Sequence, residues 1–306
     1  MTKIDLSTSV GSLRLPNPVM SAAGTSGHGA ELQDYMDLSS IGCIVVKSLS
    51  HFSWEGNPPP RITGAGPGML NSVGLQGPGI ENWKQTHLPE LIKSGARVMI
   101  SVWGRTVEDF YLAREALEDL PPQVIAAEVN VSCPNLEDRS NMFAHSAKAT
   151  YEVIRQFEGF RLPIFAKLSP NTHQLVDIAQ SAVDAGASGL TIANTLLGMR
   201  INTKTRKPAL GAIRGGLSGV SIHPVSVRSV YDVHQALPEV PIIGVGGVST
   251  GSEAIELILA GSSAVQVGTA TFIEPRAMPR IIEEIDVWCQ DNDVTSVSEL
   301  VGAAHR

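Results

Sequence analysis

The run Asn130-Val131-Ser132-Cys133-Pro134-Asn135 sets one thiol between two carboxamides, directly after a β-type stretch at 124–129. An ordinary thiol titrates near pH ~8.5, and nearby cations lower that value, so a cysteine so placed suits a proton acceptor better than a disulfide. Asn71, Asn130, Asn135 and Asn194 each bring two donors and an acceptor. Gathered together, they suit a flat ligand whose rim alternates C=O and N–H, such as a pyrimidine; singly, each reads as a turn residue. Lys47 and Lys167 follow apolar runs, and an ammonium there is costly to bury without a counter-charge. Gly246-Gly247 and Gly268-Thr269 also close apolar runs. Glycine lets backbone N–H groups approach an anion, so the two pairs together read as a phosphate site, with turn glycine as the ordinary alternative for either one.

These groups do chemistry only if the chain brings them to one place. Apolar β-type runs at 17–24, 43–49, 97–104, 124–131, 163–169, 189–194, 241–248 and 264–270 alternate with helical patterns. The helical patterns lie at 81–94, 107–119, 147–157, 173–185, 224–236 and 252–259, with a last one at 279–289. Each repeats apolar residues at steps of three and four. Several strands are apolar on nearly every residue, as a sheet covered on both faces requires. Eight such units in one chain predict a closed (β/α)8 TIM barrel. An open doubly wound sheet would want Gly-x-Gly-x-x-Gly after its first strand, and Ala22-Ala23-Gly24-Thr25-Ser26-Gly27 is a poor match. Residues 4–15 read as a short hairpin closing the barrel floor, and the long connections 50–80 and 196–223 as lids or ligand contacts. With no domain boundary, residues 1–306 read as a single domain.

In a barrel the C-terminal strand ends share one mouth, and there the candidates converge: Lys47-Ser48, Asn130 to Asn135, Lys167, Asn194-Thr195 and the two glycine pairs. Lys167 then reads as half of an ion pair with a neighbouring carboxylate, or as a cation that stabilises negative charge on a reduced flavin ring. Cys43 and Cys289, inside an apolar run and on the last helix, read as inert thiols.

Bulk properties exclude other classes. A chain that is 43% hydrophobic and 17% charged is globular rather than disordered. A net charge of −7, with dispersed lysines and arginines, excludes a nucleic-acid footprint. No apolar stretch reaches the roughly 18 residues of a membrane span. Three widely spaced cysteines suggest neither a disulfide framework nor a zinc site. With no secretory pattern at the start, the expected location is cytoplasmic.

Over about residues 4–290 the chain resembles the class 1 dihydroorotate dehydrogenases. The matching strings are Lys47-Ser48, Asn71-Ser72-Val73-Gly74-Leu75-Gln76, Asn130 to Asn135, Lys167-Leu168-Ser169-Pro170-Asn171 and Asn194-Thr195-Leu196-Leu197-Gly198-Met199. Lys204 to Pro208, Gly215-Gly216-Leu217-Ser218-Gly219, Gly246-Gly247 and Gly268-Thr269 complete them. The resemblance implies FMN at the barrel mouth and oxidation of dihydroorotate to orotate in pyrimidine synthesis, with Cys133 as the base. It implies substrate contacts at Lys47, Asn71, Ser72, Val73, Gly74, Leu75, Asn130, Asn135, Asn194 and Thr195. It implies FMN contacts at Ala23, Gly24, Lys47, Ser48, Ser101, Asn130, Lys167, Ala193, Gly219, Gly246, Gly247, Gly268 and Thr269, and no metal.

Within that class the strings at 194–199 and 204–208 look like the NAD-linked heteromeric type. That implies a homodimeric core and an electron-transfer subunit carrying FAD and a [2Fe-2S] cluster; the fumarate-using homodimer is the alternative subtype. The membrane-bound class, with a serine base and an N-terminal membrane helix, does not match. Several residues depart from the pattern. Ser101 and Ala23 stand where Asn and Ser are usual, Arg139-Ser140 replaces Gly-Gly in the loop after the cysteine, and His173 and His223 replace more usual residues. Losing one carboxamide contact costs about 1 kcal/mol, so FMN binding should survive the change at Ser101. The competing readings are a flavin-dependent reductase of another pyrimidine, such as uracil, and a barrel that has lost turnover.

Overall fold

The computed structural model describes residues 4–132 and 142–306. Eight parallel strands form its centre: β1 (Val19–Ser21), β2 (Ile44–Val45), β3 (Val98–Val102), β4 (Val124–Asn130), β5 (Ile164–Lys167), β6 (Gly189–Ile192), β7 (Ile242–Val245) and β8 (Ala264–Val267). Their order is β1-β8-β7-β6-β5-β4-β3-β2. A parallel bridge between Met20 and Cys43 joins the two outermost strands, and the Ser21 N–H donates to the Cys43 carbonyl at 3.1 Å. The sheet closes on itself as the (β/α)8 barrel that the alternation predicts.

Successive side chains on each strand face opposite ways. Ile100, Val129, Leu190 and Val265 point outward into the layer beneath the helices, while Met99, Ala126, Phe165, Ile243 and Ala264 point inward. The hairpin Thr8–Val10/Leu13–Leu15 adds Val10, Leu13 and Leu15 to the inner cluster and closes the floor. Phe165 fills the centre because Gly189 leaves room: a Cβ there would stand 2.5 Å from the ring. Burying a side chain of that size contributes roughly 1.5–3 kcal/mol, so a dry, packed lower half supports the polar upper half.

Helices occupy the expected segments. The single pattern at 81–94 divides into Ile80–Thr86 and Leu88–Lys93, because Pro89 has no N–H to continue the first helix and restricts the residue before it. Capping boxes at Thr106/Asp109 and Thr250/Glu253 mark where loops leaving β3 and β7 become helix.

The two long connections do more than cover the mouth. They build a four-stranded antiparallel sheet in the order Leu196–Met199, Arg214–Gly219, Gly68–Asn71, Ile62–Ala65. Its glycines hide it from propensity arguments, yet close strand approach demands them. A Cβ at Gly215 would lie 2.4 Å from the Asn71 carbonyl oxygen, and one at Gly216 would lie 2.1 Å from Thr195 Oγ1. Among the described residues no helix is long and apolar enough to cross a membrane.

Candidate active site

Rising along the inner face, the barrel switches from apolar to polar in one step. Ala126 gives way to Glu128 and Asn130, Phe165 to Lys167, Met99 to Ser101 and Ala264 to Gln266. Each pair is two residues apart and therefore shares a face. Glu128 is fully buried and holds this layer together. Lys167 Nζ donates to Glu128 Oε1 at 3.2 Å and to Gln266 Oε1 at 3.3 Å, and Gln266 Nε2 donates to Glu128 Oε2 at 2.8 Å. Ser101 donates to Glu128 Oε1 at 3.3 Å and shares a 2.8 Å hydrogen bond with Ser48. The ion-pair reading of Lys167 is thereby realised, and the same residue still faces the space above.

Above the layer lies a cavity of about 450 Å³, within the roughly 300–1,000 Å³ of small-molecule sites. Of the residues singled out in the sequence, Ala23, Gly24, Lys47, Ser48, Asn71, Ser72, Val73, Gly74, Leu75 and Asn130 line it. So do Lys167, Ala193, Asn194, Thr195, Gly219, Gly246, Gly247, Gly268 and Thr269. Ser101 lies one layer below, joined to the wall through Ser48. Cys133 and Asn135 lie outside the described residues; Ser132 and Met142, on either side of that segment, both line the cavity.

The two lysines differ electrically. Lys167 is paired, whereas Lys47 forms no ion pair among the described residues. Burial, with the Arg61 guanidinium nearby, holds the Lys47 pKa below the usual lysine value. An anion beside it would offset both penalties. Burial, then the charges of Lys47 and His87, pushes His28 down to about 4, leaving it neutral near pH 7. The carboxamides are held by their own neighbours. Asn130 Nδ2 donates to Ser48 Oγ at 3.3 Å and its Oδ1 accepts from the Ser132 N–H at 3.2 Å. Asn194 Oδ1 accepts from the Thr195 N–H at 2.8 Å, and Asn71 Nδ2 reaches the Gly216 carbonyl at 3.5 Å. The buried Ser72 hydroxyl has no hydrogen-bond partner among the described residues.

At the other end of the cavity, Gly246 (φ 128°) and Gly247 (φ 78°) take backbone conformations that side chains rarely adopt. Among the described residues, the N–H groups of Gly247, Gly268 and Thr269 make no backbone hydrogen bond. Three such donors in one glycine-lined corner fit a phosphate. Thr269 Oγ1 donates to Ser218 Oγ at 2.8 Å, tying this corner to the lid sheet.

Other lining residues carried no chemical signal in the sequence. Met69, Leu197 and Arg214 come from the lid sheet, and Phe272 from the short helix Ala270–Ile273. Gly215, Gly216 and Ser218 also line the cavity, and the string around Gly219 could have pointed to them. Cys43 and Cys289 are buried, and burial pushes both thiols up, Cys289 to about 11, as inert thiols would be.

The lining offers an unpaired cation (among the described residues) and carboxamides at one end and backbone donors suited to a phosphate at the other. A family model described as dihydroorotate dehydrogenase matches residues 5–288. A protein of Geotalea uraniireducens named dihydroorotate dehydrogenase B (NAD(+)), catalytic subunit, is 44% identical over 304 residues, covering 99% of both chains. Proteins of the same name from Desulforudis audaxviator and Alkaliphilus metalliredigens are 42% and 41% identical, each across 99% of this chain and 99% or 100% of their own. With a match along nearly its whole length, the chain belongs to the dihydroorotate dehydrogenase family.

Proposed function

We propose that this chain oxidises dihydroorotate to orotate with FMN as its cofactor, the C5 proton passing to Cys133. The observation that carries the reading is the ammonium of Lys47, without an ion-pair partner among the described residues, on one cavity with Asn71, Asn130 and Asn194. Dihydroorotate offers what these groups require: a carboxylate for Lys47, and ring C=O and N–H groups for the carboxamides. Gly24, Gly219, Gly246, Gly247, Gly268 and Thr269 would hold the ribityl phosphate of FMN, with Ala23, Ser48, Ala193 and Lys167 along its ring. Bound FMN supplies the acceptor for the hydride that leaves C6. Cys133, as thiolate, takes the proton from C5, so proton and hydride depart and the C5–C6 double bond of orotate remains. Asn135 joins the substrate contacts on the sequence pattern alone, as Cys133 does.

Electrons then leave through a partner subunit carrying FAD and a [2Fe-2S] cluster. The names of the relatives, each a catalytic subunit of an NAD-linked enzyme, support a partner subunit; its FAD and cluster rest on the sequence resemblance. A homodimeric core is part of the same reading; near the lid sheet, Met199, Ile201 and Ile213 are exposed apolar side chains of the kind an interface would cover.

The test is anaerobic flavin reduction by dihydroorotate and by dihydrouracil, which lacks the carboxylate. Rapid bleaching by dihydroorotate alone is the expected result. Equal bleaching by both would remove the role given to Lys47, and bleaching by dihydrouracil alone would favour a uracil reductase.

A further inference from the structure

His223 opens the helix His223–Ala236 and is buried directly behind the Gly246-Gly247 turn. Its Nδ1 lies 3.0 Å from the Gly246 carbonyl oxygen, and its Nε2 lies 3.0 Å from the carboxylate of Glu256 on the helix Gly251–Leu259. A carbonyl oxygen only accepts, so the ring meets Gly246 by donating from Nδ1. The Gly246–Gly247 peptide is trans, so the Gly247 N–H points opposite to the carbonyl that His223 grips. That N–H makes no backbone hydrogen bond among the described residues, and Gly247 lines the cavity. The fit is close: a Cβ at Gly247 would stand 2.5 Å from His223 Cβ, and one at Gly246 would stand 2.0 Å from Ser226 Oγ on the same helix.

We propose that His223 is a positioning residue for the phosphate of the bound flavin, aiming the Gly247 N–H into the cavity by holding the Gly246 carbonyl. This rests on the FMN reading above. Donation to that carbonyl also polarises the peptide and strengthens its N–H as a donor. Glu256 steadies the ring from the far side, with its side chain 57% exposed and its charge screened by water.

The experiment is the dissociation constant of FMN and of riboflavin, which lacks the phosphate, from flavin fluorescence on the apo-protein. Wild type should prefer FMN. His223→Leu should lose roughly tenfold of that preference, as loss of a charge-assisted hydrogen bond implies, with riboflavin binding unmoved. His223→Asn, whose Nδ2 stands where Nδ1 does, should restore most of it. Equal weakening toward both flavins, or no change, overturns the proposal. Should His223→Leu not fold, Glu256→Ala carries the test: with the contact to Nε2 removed and the ring no longer steadied, the preference must fall, and an unchanged preference overturns the proposal. A wild-type protein that binds neither flavin would instead remove the FMN reading, and this proposal with it.

Discussion

Replacing Lys167 by Met should destabilise the barrel more than any surface change, because it strands a carboxylate. At 3.2 Å the Lys167–Glu128 attraction is worth about 5 kcal/mol with an effective dielectric of ~20. Glu128 is fully buried, and removing one partner of a buried pair costs about 3–5 kcal/mol. Gln266 at 2.8 Å and Ser101 at 3.3 Å would still donate to the orphaned carboxylate, which puts the expectation at the lower end, about 3 kcal/mol. Glu128→Gln should cost about 2 kcal/mol, since the stranded ammonium faces the cavity and can be solvated. The double variant should recover at least about 2 kcal/mol of the summed loss. Urea unfolding of the flavin-free protein measures all three. If the losses add to within about 0.5 kcal/mol, the two groups do not act as a buried pair and the reasoning fails.

Cys133→Ala should leave FMN bound and slow flavin reduction by about 10²–10⁴, as loss of a general base does; stopped-flow reduction at an unchanged rate would acquit the thiol. Lys47 holds the substrate anion only while charged, and its lowered pKa means the charge is lost at a lower pH than usual. Dihydroorotate affinity should therefore fall on the alkaline side below the ordinary lysine value of about 10.4, and Lys47→Met should abolish that limb. An identical alkaline limb in Lys47→Met would contradict the assignment. The chain alone should reduce NAD slowly, and adding a partner subunit that carries FAD and the cluster should restore the rate. Fast NAD reduction by the isolated chain would rule out the heteromeric scheme.

The barrel was legible because its strands are short runs dominated by apolar residues and buried on both faces, a pattern that survives without tertiary information. The helix split at Pro89 and the lid sheet were not anticipated. Gly68 to Asn71 and Arg214 to Gly219 lack the β-branched density of strands, and their pairing depends on close backbone approach at Gly215 and Gly216. At the site, residues with distinct chemistry (Lys47, Lys167, Asn71, Asn130 and Asn194) could be found from strand-end position. Glu128 and Gln266 could not: each sits inside an apolar run, and only the barrel's inward face reveals that they meet Lys167. His223 likewise lies far along the chain from the turn it supports.

The most direct test is a single anaerobic turnover: dihydroorotate is added to the yellow protein while flavin absorbance and orotate are followed together. One orotate should form for each flavin bleached. A flavin that stays oxidised, or bleaches without orotate appearing, would contradict the proposed reaction.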